Sequence, residues 1–165
     1  MDADADAIAA VHVASWRTAY RGIVPDRVLD GLDVGRRAEG WRRGLRDSPD
    51  GDLVAVALID GRLCGFVRAG PREGDETTGE IHAIYVDPQT WGQGLGGALL
   101  DFAERDLVNR GLSNGMLWAF AANDRARRWY ERKGWRHDGT ETTMDFDGTP
   151  VPEVRYIKEL LIAPA

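Results

Sequence analysis

Gln89-Thr90-Trp91-Gly92-Gln93-Gly94-Leu95-Gly96-Gly97 joins two stretches of opposite periodicity. Upstream, Glu80 to Val86 reads as a strand closed by Asp87-Pro88. Downstream, Leu95, Leu99, Phe102, Ala103 and Leu107 recur at helical spacing until Gly111 stops the run. Glycine fills four of the six positions from 92 to 97, and each glycine in a helix costs about 1 kcal/mol relative to alanine, so the turn needs a compensating use. A helix entrance has amides without carbonyl partners and the positive end of the peptide dipole, which together make an anion site. The strand, turn and helix predict a phosphorylated cofactor; a mobile loop that only reverses the chain is the alternative.

Working outward, Ile8, Val11, Ser15, Trp16, Ala19 and Tyr20 follow helical spacing from Ala7, and Gly22 with Pro25 ends them. A second helical stretch after Asp26 carries Val28, Leu29, Leu32, Ala38, Trp41 and Leu45. Gly31 and Gly35 interrupt it, so two pieces are expected before Asp47-Ser48-Pro49-Asp50-Gly51. Leu53 to Ile59 and Leu63 to Ala69 flank Asp60-Gly61 as a hairpin, with Gly70 to Gly79 as a polar loop. Beyond Gly111, Met116 to Phe120 is a short buried strand, and Asn123 caps a helix that stops at Gly134. Trp135 to Phe146 and Val151 to Leu160 close the chain around Asp147-Gly148. The expected fold is α/β with a mixed sheet, in which antiparallel hairpins flank one strand-helix-strand crossover.

Composition narrows the function. At 165 residues one domain over 1–165 is expected, and a net charge of −6 disfavours wrapping a nucleic acid backbone. Cys64 is the only cysteine, which excludes an internal disulfide, and in an apolar strand it reads as packing. His12, His82 and His137 show no metal-ligand spacing, so no metal is expected. The acidic amino terminus and the absence of a long apolar run lead to the expectation of a cytoplasmic protein with no membrane partner.

Gly92-x-Gly94-x-x-Gly97 also fits a dinucleotide fingerprint. That reading needs an acid at the end of the next strand to hold a ribose, and Trp118-Ala119-Phe120-Ala121 offers none. No lysine follows the glycines, which removes the triphosphate-binding loop. Gln89-x-x-Gly92-x-Gly94 instead resembles the Gln/Arg-x-x-Gly-x-Gly/Ala pattern of the GNAT acetyltransferases. Asn123-x-x-Ala126-x-x-Trp129-Tyr130-x-x-x-Gly134-Trp135 is similar to that family's second motif, in the family's order. Trp16 and Tyr20 before a Gly-x-x-Pro turn, and Gly65-Phe66, extend the likeness over most of the chain.

The resemblance implies acetyl transfer from acetyl-CoA to a primary amine, with helices on both faces of a mostly antiparallel sheet and one splayed parallel strand pair. It implies cofactor contacts from Ile84, Tyr85 and Val86 on the splayed strand, through main-chain groups of Ile84 and Val86 in particular. Further contacts come from the turn residues Gln89, Trp91, Gly92, Gln93, Gly94, Leu95, Gly96 and Gly97, and from Asn123 and Tyr130. Glu80 is implied as the base and Tyr130 as the proton donor to sulfur. Trp16, Tyr20, Glu80 and His82 are implied around the acceptor amine. Read by themselves, Glu80 is an acid at a strand start, and Trp16 and Tyr20 form an i, i+4 aromatic stripe typical of a core. Arg127, Arg128 and Arg132 give their helix a basic side; a solvated face is the favoured reading and reach to the coenzyme phosphates the alternative. Family members usually open with a strand, and none is read here before the first helix; either the sheet lacks an edge strand, or the apolar strand Leu53 to Ile59 is covered by another copy of the chain, and self-association is the expectation. A non-catalytic acyl-CoA-binding module of the same fold is the competing reading; the presence of both Glu80 and Tyr130 favours catalysis.

Overall fold

A computed structural model describes residues 2–47 and 52–160. The expected stop over residues 48–51 lies outside them. Three helices come first: α1 (Asp2–Ala19), α2 (Asp26–Asp30) and α3 (Val34–Arg46). The break between α2 and α3 falls at Gly31, and Asp33 restarts the helix by accepting a hydrogen bond on Oδ1 from the Arg36 amide at 2.8 Å. Helix α1 starts five residues before the periodicity at Ala7, with Ala5 already buried and Asp4 in a first turn where an acid suits the helix dipole.

The strands β1 (Leu53–Ile59), β2 (Arg62–Pro71) and β3 (Thr78–Val86) follow, then a single 3-10 turn at Pro88–Thr90 and helix α4 (Leu95–Asn109). The hairpin loop between β2 and β3 is shorter than the stretch from Gly70 to Gly79. The Arg72 amide donates to the Thr78 carbonyl at 2.8 Å, and Asp75 Oδ1 accepts from both the amide and the hydroxyl of Thr77. Strand β4 (Asn114–Phe120), helix α5 (Asp124–Arg132), β5 (Arg136–Phe146) and β6 (Thr149–Glu159) complete the fold.

The six strands lie in the order β1-β2-β3-β4-β6-β5, antiparallel except for β3 beside β4. That parallel pair makes only three rungs: Thr78 with Asn114, Gly79 with Gly115 and Glu80 with Met116. Beyond Glu80 the two strands part. Helix α4 packs under this junction because Gly79 has no side chain: a Cβ there would sit 2.6 Å from Leu107 Cδ2.

Helices α4 and α5 bury one face of the sheet around Val67, Leu100, Leu117 and Tyr156, while α1 and α3 cover the other around Ile8 and Phe66. A third cluster, with Leu29, Phe120 and Val151, joins the end of α1 and α2 to β4 and β6. Among the described residues no strand precedes α1, and β1 forms a sheet edge with Val56 and Leu58 exposed.

Candidate active site

The gap between β3 and β4 is a wedge that opens where their pairing ends, and strand geometry turns main-chain groups of β3 into it. The Asp87 amide donates back to the Cys64 carbonyl on β2 at 2.8 Å. Successive peptide groups alternate sides, so those of Ile84 and Val86 face away from β2 and into the opening. The Val86 carbonyl is already satisfied: Trp91 Nε1 donates to it at 2.8 Å and Ser15 Oγ at 2.9 Å. Ile84 keeps both its main-chain groups facing the wedge, and Val86 keeps its amide.

The glycine turn sits across the mouth of this wedge. Gly92 has φ +82° and Gly94, the residue capping α4, has φ +83°, a left-handed conformation that suits glycine. The first helical bond runs from the Ala98 amide to the Gly94 carbonyl, and no protein acceptor among the described residues meets the amides from 92 to 97. Gly96 and Gly97 let α5 approach. A Cβ at Gly96 would lie 3.4 Å from the Trp129 ring, and one at Gly97 would lie 3.0 Å from Lys133 Nζ. Unpaired amides and a helix dipole, with Arg125 and Arg132 of α5 also lining the cleft, together fit a diphosphate.

A cleft of about 740 Å³ runs from α1 across the turn to α5. The sequence-implied residues Ile84, Tyr85, Val86, Trp91, Gly92, Gly94, Leu95, Gly96, Gly97, Asn123, Tyr130 and Tyr20 all line it. Gln89 and Gln93 do not line it; both are exposed, and the Gln89 main-chain N–H donates to Asp87 Oδ1 at 3.0 Å, which caps the 3-10 turn. Asn123 Oδ1 accepts from the Ala126 amide at 3.2 Å, so it caps α5 while its NH2 group is left for the cleft. Tyr130 is buried at the base of α5, and no hydrogen bond from its Oη exists among the described residues. Burial, then the neighbouring Tyr85, raise its pKa well above that of a free phenol, so it holds its proton at any ordinary pH.

Glu80 closes the wedge at the last β3–β4 rung, outside the cleft wall. The strand does not alternate regularly past it. Arg68 pairs with Ala83 and Ala69 with Ile81, which leaves His82 as an extra residue. This bulge turns Ile81, Ile84 and Val86 towards α4 and Ala83 and Tyr85 towards α1. It also brings His82 Nδ1 within 3.6 Å of Glu80 Oε1.

On the α1 side, Tyr20 is both core and wall, whereas Trp16, expected at the acceptor site, is core alone. Tyr20 meets Phe120 edge-on at 4.8 Å between ring centroids, and its hydroxyl lies 3.3 Å from that of Tyr85. Trp16 does not line the cleft but packs against Tyr20 and Phe146.

Several residues here were not anticipated. Ser15 ties α1 to β3, as described. Arg125 lines the cleft with its Cζ 3.6 Å from the centroid of the Trp91 ring; Arg132, already named on the basic helix face, lines it as well. Arg127 is spent inside the fold, its Nε donating to Tyr156 Oη at 3.1 Å and its Nη1 to the Ala121 carbonyl at 2.9 Å. Glu153 stands opposite Phe120 on β6, and burial raises its pKa. A readable signal existed for Arg125, a cation in the first turn of a helix, where the dipole disfavours one. None existed for Glu153, whose position depends on strand register. Among the described residues no cluster of three or more potential ligands could hold a metal, and no helix is long and apolar enough to cross a membrane.

Comparison with known proteins agrees with this geometry. The family model "Acetyltransferase (GNAT) family" matches residues 15–135. A probable N-acetyltransferase of Mycobacterium tuberculosis is 30% identical over 90% of this chain and 84% of that protein. A mycothiol acetyltransferase of Acidothermus cellulolyticus is 38% identical over 67% of this chain, which spans only 38% of that longer enzyme. In fold, the PaiA N-acetyltransferase of Thermoplasma acidophilum, solved in complex with coenzyme A, matches 96% of this chain and 94% of its own. The TM-score is 0.72 and the identity 19%.

Proposed function

The chain belongs to the GNAT family of acetyltransferases, enzymes that move an acetyl group from acetyl-CoA to an amine, and we propose that it does so as one domain by direct amine attack between Glu80 and Tyr130. The observation that carries this reading is the parting of β3 from β4 after Glu80, with the protonated Tyr130 phenol and the crown of free amides beside it.

Acetyl-CoA, when bound, supplies a thioester carbonyl open to an amine nucleophile. The amides from Gln93 to Gly97 would hold its diphosphate, and the main-chain groups of Ile84 with the Val86 amide would hold its pantetheine arm as an added strand is held. Asn123 would orient the same arm through its free NH2 group.

An alkylammonium with a pKa near 10.4 must lose a proton at neutral pH, at a cost of about 4–5 kcal/mol. Glu80 takes that proton on its carboxylate, with His82 beside it to relay or share it. Tyr130 would give the proton on its Oη to the departing sulfur and regain one from the second proton that the amine nitrogen sheds as the amide forms. Tyr20 walls the side from which the amine enters, and Trp16 backs it from the core.

The acceptor is a small-molecule or peptide amine. Self-association through β1 belongs to the same proposal, since an edge strand exposing Val56 and Leu58 invites pairing; light scattering showing only monomer at micromolar concentration would remove it. Calorimetric titration with acetyl-CoA, followed by thiol release against a panel of small amines, peptide amino termini and lysine peptides, tests the function. Binding without turnover on any amine would favour the acyl-CoA-binding module, and no binding would end both readings.

A further inference from the structure

The segment from Asp87 to Gly97 contains no lysine or arginine. Its one charged side chain is acidic, and Arg62 is engaged with it, Nη1 lying 2.7 Å from Asp87 Oδ2. Main-chain amides and a helix dipole offer partial charges only, so two charges of a diphosphate would be left under-neutralised by the turn itself. The missing cation must come from another element, and α5 is the element that Gly96 and Gly97 admit to this spot.

Of the other cations on α5 and its cap, Arg127 is committed to Tyr156 and Ala121, Arg128 is exposed outside the cleft lining, Lys133 at the C-cap lies 3.7 Å from Asp101 Oδ1, and Arg132 lines the cleft from the last turn of α5 without the ring contact that Arg125 makes. Arg125 differs from them. Its guanidinium lies 3.6 Å over the Trp91 ring, the indole beneath is anchored by its own Nε1 to Val86, and no hydrogen bond or ion pair occupies its donors among the described residues. Stacking fixes the plane of the guanidinium while leaving its edge for an anion, and a planar fork matches two phosphate oxygens. It also holds a cation at the helix end where the dipole repels one, a cost that an anionic ligand would reverse.

We propose that Arg125, held flat on Trp91, is the residue that reads the coenzyme diphosphate, delivered from α5 to a turn that carries no cation of its own. This rests on the reading that acetyl-CoA binds at the turn. The Trp91–Arg125 pair then acts as one unit: the indole sets the angle and the guanidinium supplies the charge.

Coenzyme A and dephospho-coenzyme A, which lacks the 3′-phosphate but keeps the diphosphate, separate the possibilities by calorimetry on wild type, Arg125→Ala, Trp91→Leu and Arg128→Ala. Thermal midpoints report folding. The expected result is that Arg125→Ala weakens both ligands by the same factor, about 10- to 100-fold, the range for one charge-assisted contact. Trp91→Leu weakens both in the same direction, and Arg128→Ala changes neither. Unchanged affinity in folded Arg125→Ala overturns the proposal. So does a loss confined to coenzyme A, which would assign Arg125 to the 3′-phosphate. An equal loss in Arg128→Ala would also overturn it, by showing diffuse charge rather than a placed contact. Failure of wild type to bind either ligand is a different result, and it removes the cofactor reading itself.

Discussion

His12 lies inside α1 among the rings of Trp16, Trp41, Phe66 and Tyr85, stacked on Tyr85 at 5.0 Å between centroids. Trp41 Nε1 donates to its Nδ1 at 3.2 Å, so the ring proton sits on Nε2, which is buried and has no partner. Burial, then the charge of Arg37, hold its pKa down to about 3 from a reference of 6.5. Above pH 6.5 the imidazole is neutral in both the folded and unfolded chain and adds no pH dependence. Below that the unfolded chain binds a proton that the folded chain refuses, so stability falls as pH falls, until about pH 3. One proton gives a slope near 1.4 kcal/mol per pH unit, or about 2 kcal/mol lost between pH 7 and pH 5. His12→Asn keeps an acceptor for Trp41 but cannot titrate. Urea unfolding at both pH values should find the variant less stable at pH 7 through lost packing, with its deficit against wild type shrinking by about 2 kcal/mol at pH 5. A deficit equal at the two pH values would refute the argument, and the contributions of the other histidines cancel in the comparison.

Tyr130→Phe should lower turnover by about 10- to 1000-fold while coenzyme affinity, measured by calorimetry, stays within about twofold; unchanged turnover would remove the phenol from the chemistry. Glu80→Gln should depress the rate most at low pH, where removing the ammonium proton is hardest, so a pH–rate profile parallel to wild type would argue against a base at that position.

Most of the sheet was legible because alternation, Asp60-Gly61 and Asp147-Gly148 are local signals. The crossover was legible because periodicity changes sharply at the glycine turn. What the sequence could not show was register. The bulge at His82 arises from the pairing of β3 with β2, far off in the chain, and it decides which face Tyr85 and Ile84 take. The same limit hid Glu153, placed opposite Phe120 by a pairing between β4 and β6. Tyr130 and Asn123 were recognisable by motif, yet the commitment of Arg127 to Tyr156 depends on the packing of α5 against β6 and not on its spacing along α5.

The Val86 carbonyl ties these two levels together. Resemblance alone made Ile84 and Val86 equal rungs for a bound strand-like arm, but Ser15 and Trp91 occupy the two lone pairs of the Val86 oxygen. An arm entering the wedge therefore finds its first free acceptor at Ile84, deeper and nearer to the junction at Glu80. The residues that fill Val86 come from opposite sides, Ser15 from the helix walling the amine side and Trp91 from the turn facing the diphosphate. One carbonyl thus ties α1 to the glycine turn across the mouth of the wedge, and in the proposed mode of binding it would set where along the wedge a thioester stands relative to Tyr130.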